Sequence, residues 1–127
     1  MSDASKKPED DCPVGMSVVR PSESEVFVDL DGDAAITRYY TSIGPVRLLF
    51  PGLTERRFTY SRSHRNRHAV IDIGRPVVNA TERIVIELAL GSDPIRGLLG
   101  MRSIAEGRPE DASVFFEYLT KDEAVGV

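Results

Sequence analysis

Tryptophan is missing from this chain, cysteine occurs once, lysine three times and histidine twice. No apolar run is long enough to cross a bilayer. Each scarcity excludes something. A lone Cys12 cannot form an internal disulfide, and it leaves no Cys/His cluster for a structural zinc. Without a spanning run or an apolar signal segment, the expected setting is the cytoplasm or a soluble assembly, with no membrane partner. With only nine aromatics among 127 residues, Leu, Ile and Val must fill the core, which suits strands.

What the chain does have is arginine, thirteen of them, unevenly placed. Residues 1–33 carry three basic and nine acidic side chains, net -6; residues 34–75 carry eight and two, net +6; residues 76–127 carry five and nine, net -4. An acidic–basic–acidic order inside a total of -4 suits an anionic partner or the packing of one copy on another. The length fits one domain. Residues 1–24, polar and acidic, are expected to be a flexible tail, with a short strand within Val14–Val19, and residues 25–127 a single β-rich domain.

Arg56-Arg57-Phe58-Thr59-Tyr60-Ser61-Arg62-Ser63-His64-Arg65-Asn66-Arg67-His68 holds five of the arginines and both histidines. The apolar run Ala69–Ile73 follows it. This predicts a hairpin with a loop at Ser63–Asn66, in which Arg62 faces Arg67, Tyr60 faces Ala69, Phe58 faces Ile71 and Arg57 faces Asp72. Phe58, Tyr60, Ala69 and Ile71 then share one apolar face. Upstream, Glu25–Leu30 reads as a strand. Asp31-Gly32 is a preferred two-residue turn, and Asp33–Tyr40 reads as the returning strand, with Glu25 opposite Arg38. Val46–Phe50 and Arg83–Leu90 read as further strands, the latter central. Ser92 or Asp93 caps a helix with Pro94 in its first turn. Ala112, Phe115, Phe116 and Leu119 have helical spacing, in competition with a strand over the same stretch. The fold these readings predict is mainly β: a compact antiparallel β-sandwich or small barrel, with one or two short C-terminal helices.

Few constellations carry chemistry. Asp29-Leu30-Asp31-Gly32-Asp33 alternates three acids, a pattern that suits a hard cation. It is not an EF-hand loop, because the required glycine and glutamate positions fall on Ala34 and Tyr40. Val26–Asp33, an apolar strand ending in Asp-x-Asp-Gly, is similar to the first motif of haloacid-dehalogenase-type phosphohydrolases. The resemblance implies Asp29 as nucleophile, Asp31 as general acid/base, and bound Mg²⁺. That family also uses a lysine after a later strand, whereas the lysines here are Lys6, Lys7 and Lys121. No Ser or Cys triad is apparent.

The expected function is therefore a non-enzymatic assembly or interaction module without a cofactor. It would join other protein subunits or copies of itself through the acidic tail and Arg56, Arg57, Arg62, His64, Arg65, Arg67 and His68. Two alternatives use the same residues differently. In one, the hairpin arginines bind nucleic acid or another polyanion. In the other, Asp29, Asp31 and Asp33 serve a metal-dependent, small-ligand or phosphohydrolase-like site.

Overall fold

The structure, a computed structural model, describes residues 7–60 and 66–118. The expected mainly-β sandwich or barrel is not what forms: the chain is mixed α/β, with two small open sheets. Strand β2 (Glu25–Leu30) leads into helix α2 (Asp33–Leu49), then β3 (Thr54–Tyr60), β4 (Arg67–Asp72), α3 (Ala80–Ala89) and α4 (Pro94–Ala105). The three strands lie in the order β2-β4-β3, with β4 antiparallel to both neighbours. Ahead of them, a short helix α1 (Pro8–Asp11) precedes β1 (Met16–Val19), which pairs antiparallel with β5 (Phe115–Tyr118) near the C-terminus. Among the described residues no helix is long and apolar enough to cross a membrane.

Side-chain alternation explains the layers. Val26, Val28 and Leu30 of β2 and Ala69 and Ile71 of β4 point to one face, where they pack with Ala35 and Tyr39 of α2 and Ile86 of α3. Each large side chain so buried contributes about 1.5–3 kcal/mol. Phe27 and Val70 point to the other face and meet Phe115 of β5.

Four expected elements are corrected. Asp33–Tyr40 and Val46–Phe50 are not strands: Ala35, Tyr39, Ile43, Val46 and Phe50 recur at helical spacing and pack on the sheet. Gly32 does adopt a positive φ of 87°, but as the N-cap of α2 rather than in a hairpin turn. Arg83–Leu90 is helical, because Ile84, Glu87 and Leu90 face inward at three-residue steps. Residues 115–118 form β5, with only a 3₁₀ turn at Pro109–Asp111 where a helix was expected. Helix α4 forms as expected, with the Asp93 side chain accepting from the Ile95 N–H. Its Gly97 and Gly100 are close-approach positions; a Cβ on Gly100 would stand 2.5 Å from the Ala112 carbonyl oxygen.

The hairpin β3–β4 exists in a register shifted by two residues from the one expected. Tyr60 faces Arg67, Phe58 faces Ala69 and Arg57 faces Val70, and a bulge between Glu55 and Arg57 brings Thr54 opposite Asp72. A two-residue slip preserves the faces, so Phe58 still joins the helix-side core.

The outer edge of β2 carries no strand among the described residues. Its backbone is met by side chains and one amide from the helical half. Arg83 Nε donates to the Glu25 carbonyl (2.8 Å), and the Phe27 N–H donates to Glu87 Oε2 (2.8 Å). Arg96 donates to the Phe27 carbonyl (2.9 Å), and the Asp29 N–H donates to Ser92 Oγ (3.0 Å). The Asp93 N–H donates to the Asp29 carbonyl (2.9 Å).

Candidate functional site

The β2–β4 register sets Asp29 directly opposite His68 on the face away from α2 and α3. Both are the polar members of strands whose alternate residues fill the core. They border a cleft of about 480 Å³, together with Asn66, Arg96 and the aromatic Phe115 and Phe116. The His68 ring lies flat on Phe115 at 3.9 Å, and Phe115 stacks on Phe27 at 4.6 Å. These stacks fix the imidazole plane and leave its edge toward Asp29.

His68 Nε2 stands 3.5 Å from Asp29 Oδ1, longer than a well-formed hydrogen bond. Burial pushes the His68 pKa down to about 4, helped by the Arg96 charge, so the imidazole is neutral at pH 7. Burial also raises the Asp29 pKa; Arg96 opposes this, while Asp93 and Asp31 add to it. Among the described residues Asp29 Oδ1 is buried with no hydrogen-bond partner. A carboxylate oxygen in that state calls for a donor or a cation.

Arg96 is fixed from several sides. It donates to the carbonyls of Phe27 (2.9 Å) and Val114 (3.3 Å), stands 3.4 Å from Glu87 Oε1, and lies over the Phe115 ring. Glu87, buried, also accepts from Ser113 Oγ (2.8 Å). Burial raises its pKa, and Arg96 opposes that shift.

The structure separates the expected site residues into groups. Asp29 and His68 come together, although sequence reasoning placed them in different constellations. Arg56 pairs with Asp72 at 2.6 Å, and Arg57 with Glu117 at 2.8 Å. The expected Arg57–Asp72 pair is therefore replaced by Arg56–Asp72, because Arg57 faces Val70 and Asp72 lies opposite Thr54 beyond the bulge at Arg56. Glu25 stands 3.8 Å from Arg56, in place of the expected Arg38. Arg67 donates to the Tyr60 hydroxyl and lies over the Phe58 and Tyr60 rings. Arg62, His64 and Arg65 lie outside the described residues; Arg67 faces Tyr60 instead of the expected Arg62. Asp31 stays beside Asp29 at the end of β2, whereas Asp33 opens α2. Among the described residues no three His, Cys, Asp or Glu side chains converge as a metal cage. The strand bearing Asp29 pairs antiparallel with β4 in a three-stranded sheet.

Sequence reasoning missed Arg96, Glu87 and Phe115. Arg96 carried one available signal, its place in the first turn after the Asp93-Pro94 start. Nothing local marks Glu87. The chain matches no known family, no curated protein and no solved structure.

Proposed function

We propose that the protein binds a phosphate-bearing ligand of the nucleotide or nucleic-acid class, with a divalent cation, in the Asp29–His68 cleft. The observation that supports this reading is the half-buried Asp29 carboxylate, whose Oδ1 is buried without a donor and which feels the charges of Asp31 and Asp93. A hard cation relieves all of these at once. Mg²⁺ characteristically takes only one or two protein carboxylates and completes its shell with water and ligand phosphate oxygens, so a full protein cage is not required. Neutral His68 can donate to or accept from the ligand, Arg96 supplies fixed positive charge, and Phe115 and Phe116 offer apolar walls. If chemistry follows binding, metal-assisted reaction at phosphorus is the class this donor set suits.

Calorimetric titration with a nucleoside triphosphate and with a short single strand, each with Mn²⁺ and with chelator, tests this. Cation-dependent binding that weakens at least about tenfold in Asp29→Asn is expected. Equal binding in chelator, or no effect of Asp29→Asn, would sink the proposal.

A second reading keeps the assembly role but moves its surface. The described hairpin arginines are engaged within the chain, whereas Ile95, Leu98 and Leu99 of α4 and Val85 of α3 stand exposed. Light scattering on the same samples reads it, and a strict monomer at every concentration would remove self-association.

A further inference from the structure

The strand pairing that places Asp29 beside His68 has a counterpart on the other side of His68. Asp29 of β2 is opposite His68 of β4, and His68 is opposite Thr59 of β3. Residues directly opposite in neighbouring strands share a face, so Asp29, His68 and Thr59 form one polar row across the sheet. The row lies on the face away from α2 and α3, the face on which Val70, two residues after His68, meets Phe115. With strands about 4.8 Å apart, its three members span about 10 Å.

The two ends of the row differ. At the β2 end, the Asp29 carboxylate feels the charges of Asp31, Asp93 and Arg96. At the β3 end the neighbouring charges are already matched. Arg57, two residues from Thr59 and opposite Val70, is on the same face. Its Nη2 stands 2.9 and 2.8 Å from the two carboxylate oxygens of Glu117 in β5. Both members of that pair are near enough to His68 to act on its charge. The polar group offered beside this closed pair is the exposed Thr59, whose neutral hydroxyl can donate or accept. Between the ends, His68 lies flat on Phe115. The row thus runs from a charged end, suited to a cation and phosphate, to an uncharged hydrogen-bonding end.

We propose that Thr59 is a further ligand-binding residue, which makes the site selective for a single nucleoside phosphate, its phosphates at Asp29 and Arg96 and its nucleoside hydrogen-bonded to Thr59. This rests on the phosphate-ligand reading above. A reach of about 10 Å suits one nucleotide from phosphate to base edge. A longer strand would bring a second phosphate to the β3 end, where Glu117 offsets Arg57.

The test uses the full chain, Thr59→Val, which loses the hydroxyl but keeps a β-branched side chain, and Thr59→Ser, which keeps the hydroxyl. Each is titrated, in Mg²⁺, with a nucleoside triphosphate and with inorganic tripolyphosphate, which has no nucleoside. Thr59→Val is expected to bind the nucleotide about threefold to tenfold more weakly, with tripolyphosphate binding unchanged. Thr59→Ser is expected to match the wild type on both. Nucleotide binding unchanged in Thr59→Val, or an equal loss for tripolyphosphate, would overturn the role of Thr59 while leaving the binding reading intact. A loss in Thr59→Ser as large as in Thr59→Val would do the same. A wild type that binds neither probe would overturn both.

Discussion

On one face of the three-stranded sheet, Val26, Val28, Leu30, Ala69 and Ile71 pack dry against α2 and α3. On the other, Phe27 and Val70 share their layer with Asp29 and His68, next to Phe115 of β5. The same two strands build both faces from alternate residues, so the faces differ only in the side chains they present. The first face gains stability at every position. The second carries a half-buried carboxylate with a raised pKa and a half-buried imidazole with a lowered one. Placing these charge-bearing groups against a well-packed core concentrates an energetic cost in one place, a pattern typical of working sites.

Three measurements would break or sharpen this contrast. The largest effect is expected on the dry face. Ile71→Ala, fully buried against both helices, should cost about 2–5 kcal/mol in urea unfolding with the slope unchanged. A loss below 1 kcal/mol would show that the helix-side core is loosely packed.

The next effect belongs to His68. Its pKa falls from 6.5 in the unfolded chain to about 4 in the folded one. The unfolded state therefore takes up the proton first. Stability is retained above pH 6.5 and declines as pH drops toward 4, by up to about 3 kcal/mol. Asp29 and Glu87, whose pKa values are raised, bind protons more readily when folded and offset part of that loss at the acid end. His68→Phe keeps a ring on Phe115 and should flatten the decline. An identical decline in the variant would assign it elsewhere.

The smallest effect has the opposite sign. Asp29→Asn removes the partly desolvated charge and should raise stability by about 1 kcal/mol, a melting shift of about 4 °C. A destabilised Asp29→Asn protein would mean that the carboxylate is held by contacts it needs for folding.

The elements that were legible in the sequence obey simple patterns. Strand β2 is a short run of strand formers, Phe58 and the apolar run after His68 mark the β3–β4 hairpin, and Asp93-Pro94 marks the start of α4. The elements that were not legible break the patterns for physical reasons. In α3, Glu87 is buried while Val85 and Leu88 are exposed, which blurs the amphipathic signature and leaves a run that looks like a central strand. In α2, β-branched residues and Pro45 inside the helix hide the stripe from Ala35 to Phe50. At Phe115 and Phe116 helical spacing is coincidental, because the partner that fixes the strand is β1, about a hundred residues earlier in the chain. The candidate site suffers from the same non-locality. Asp29 and His68 each stood out, but their adjacency follows from β2 pairing with β4, and pairing β2 with the next segment concealed it. Arg96 reaches the cleft from a third element altogether.

The side-chain contacts along the outer edge of β2 bear on how this protein meets other polypeptides. Open strand edges are templates for further strands and a common route to aggregation. Here Arg83, Glu87, Ser92 and Arg96 take up β2's outward backbone groups. The opposite edge, β3, is bulged and carries Glu55, Arg56 and Arg57. A passing extended chain finds the first edge occupied and the second charged and irregular. Strand-by-strand growth of this sheet is disfavoured on both sides, and association is left to helix faces and the cleft.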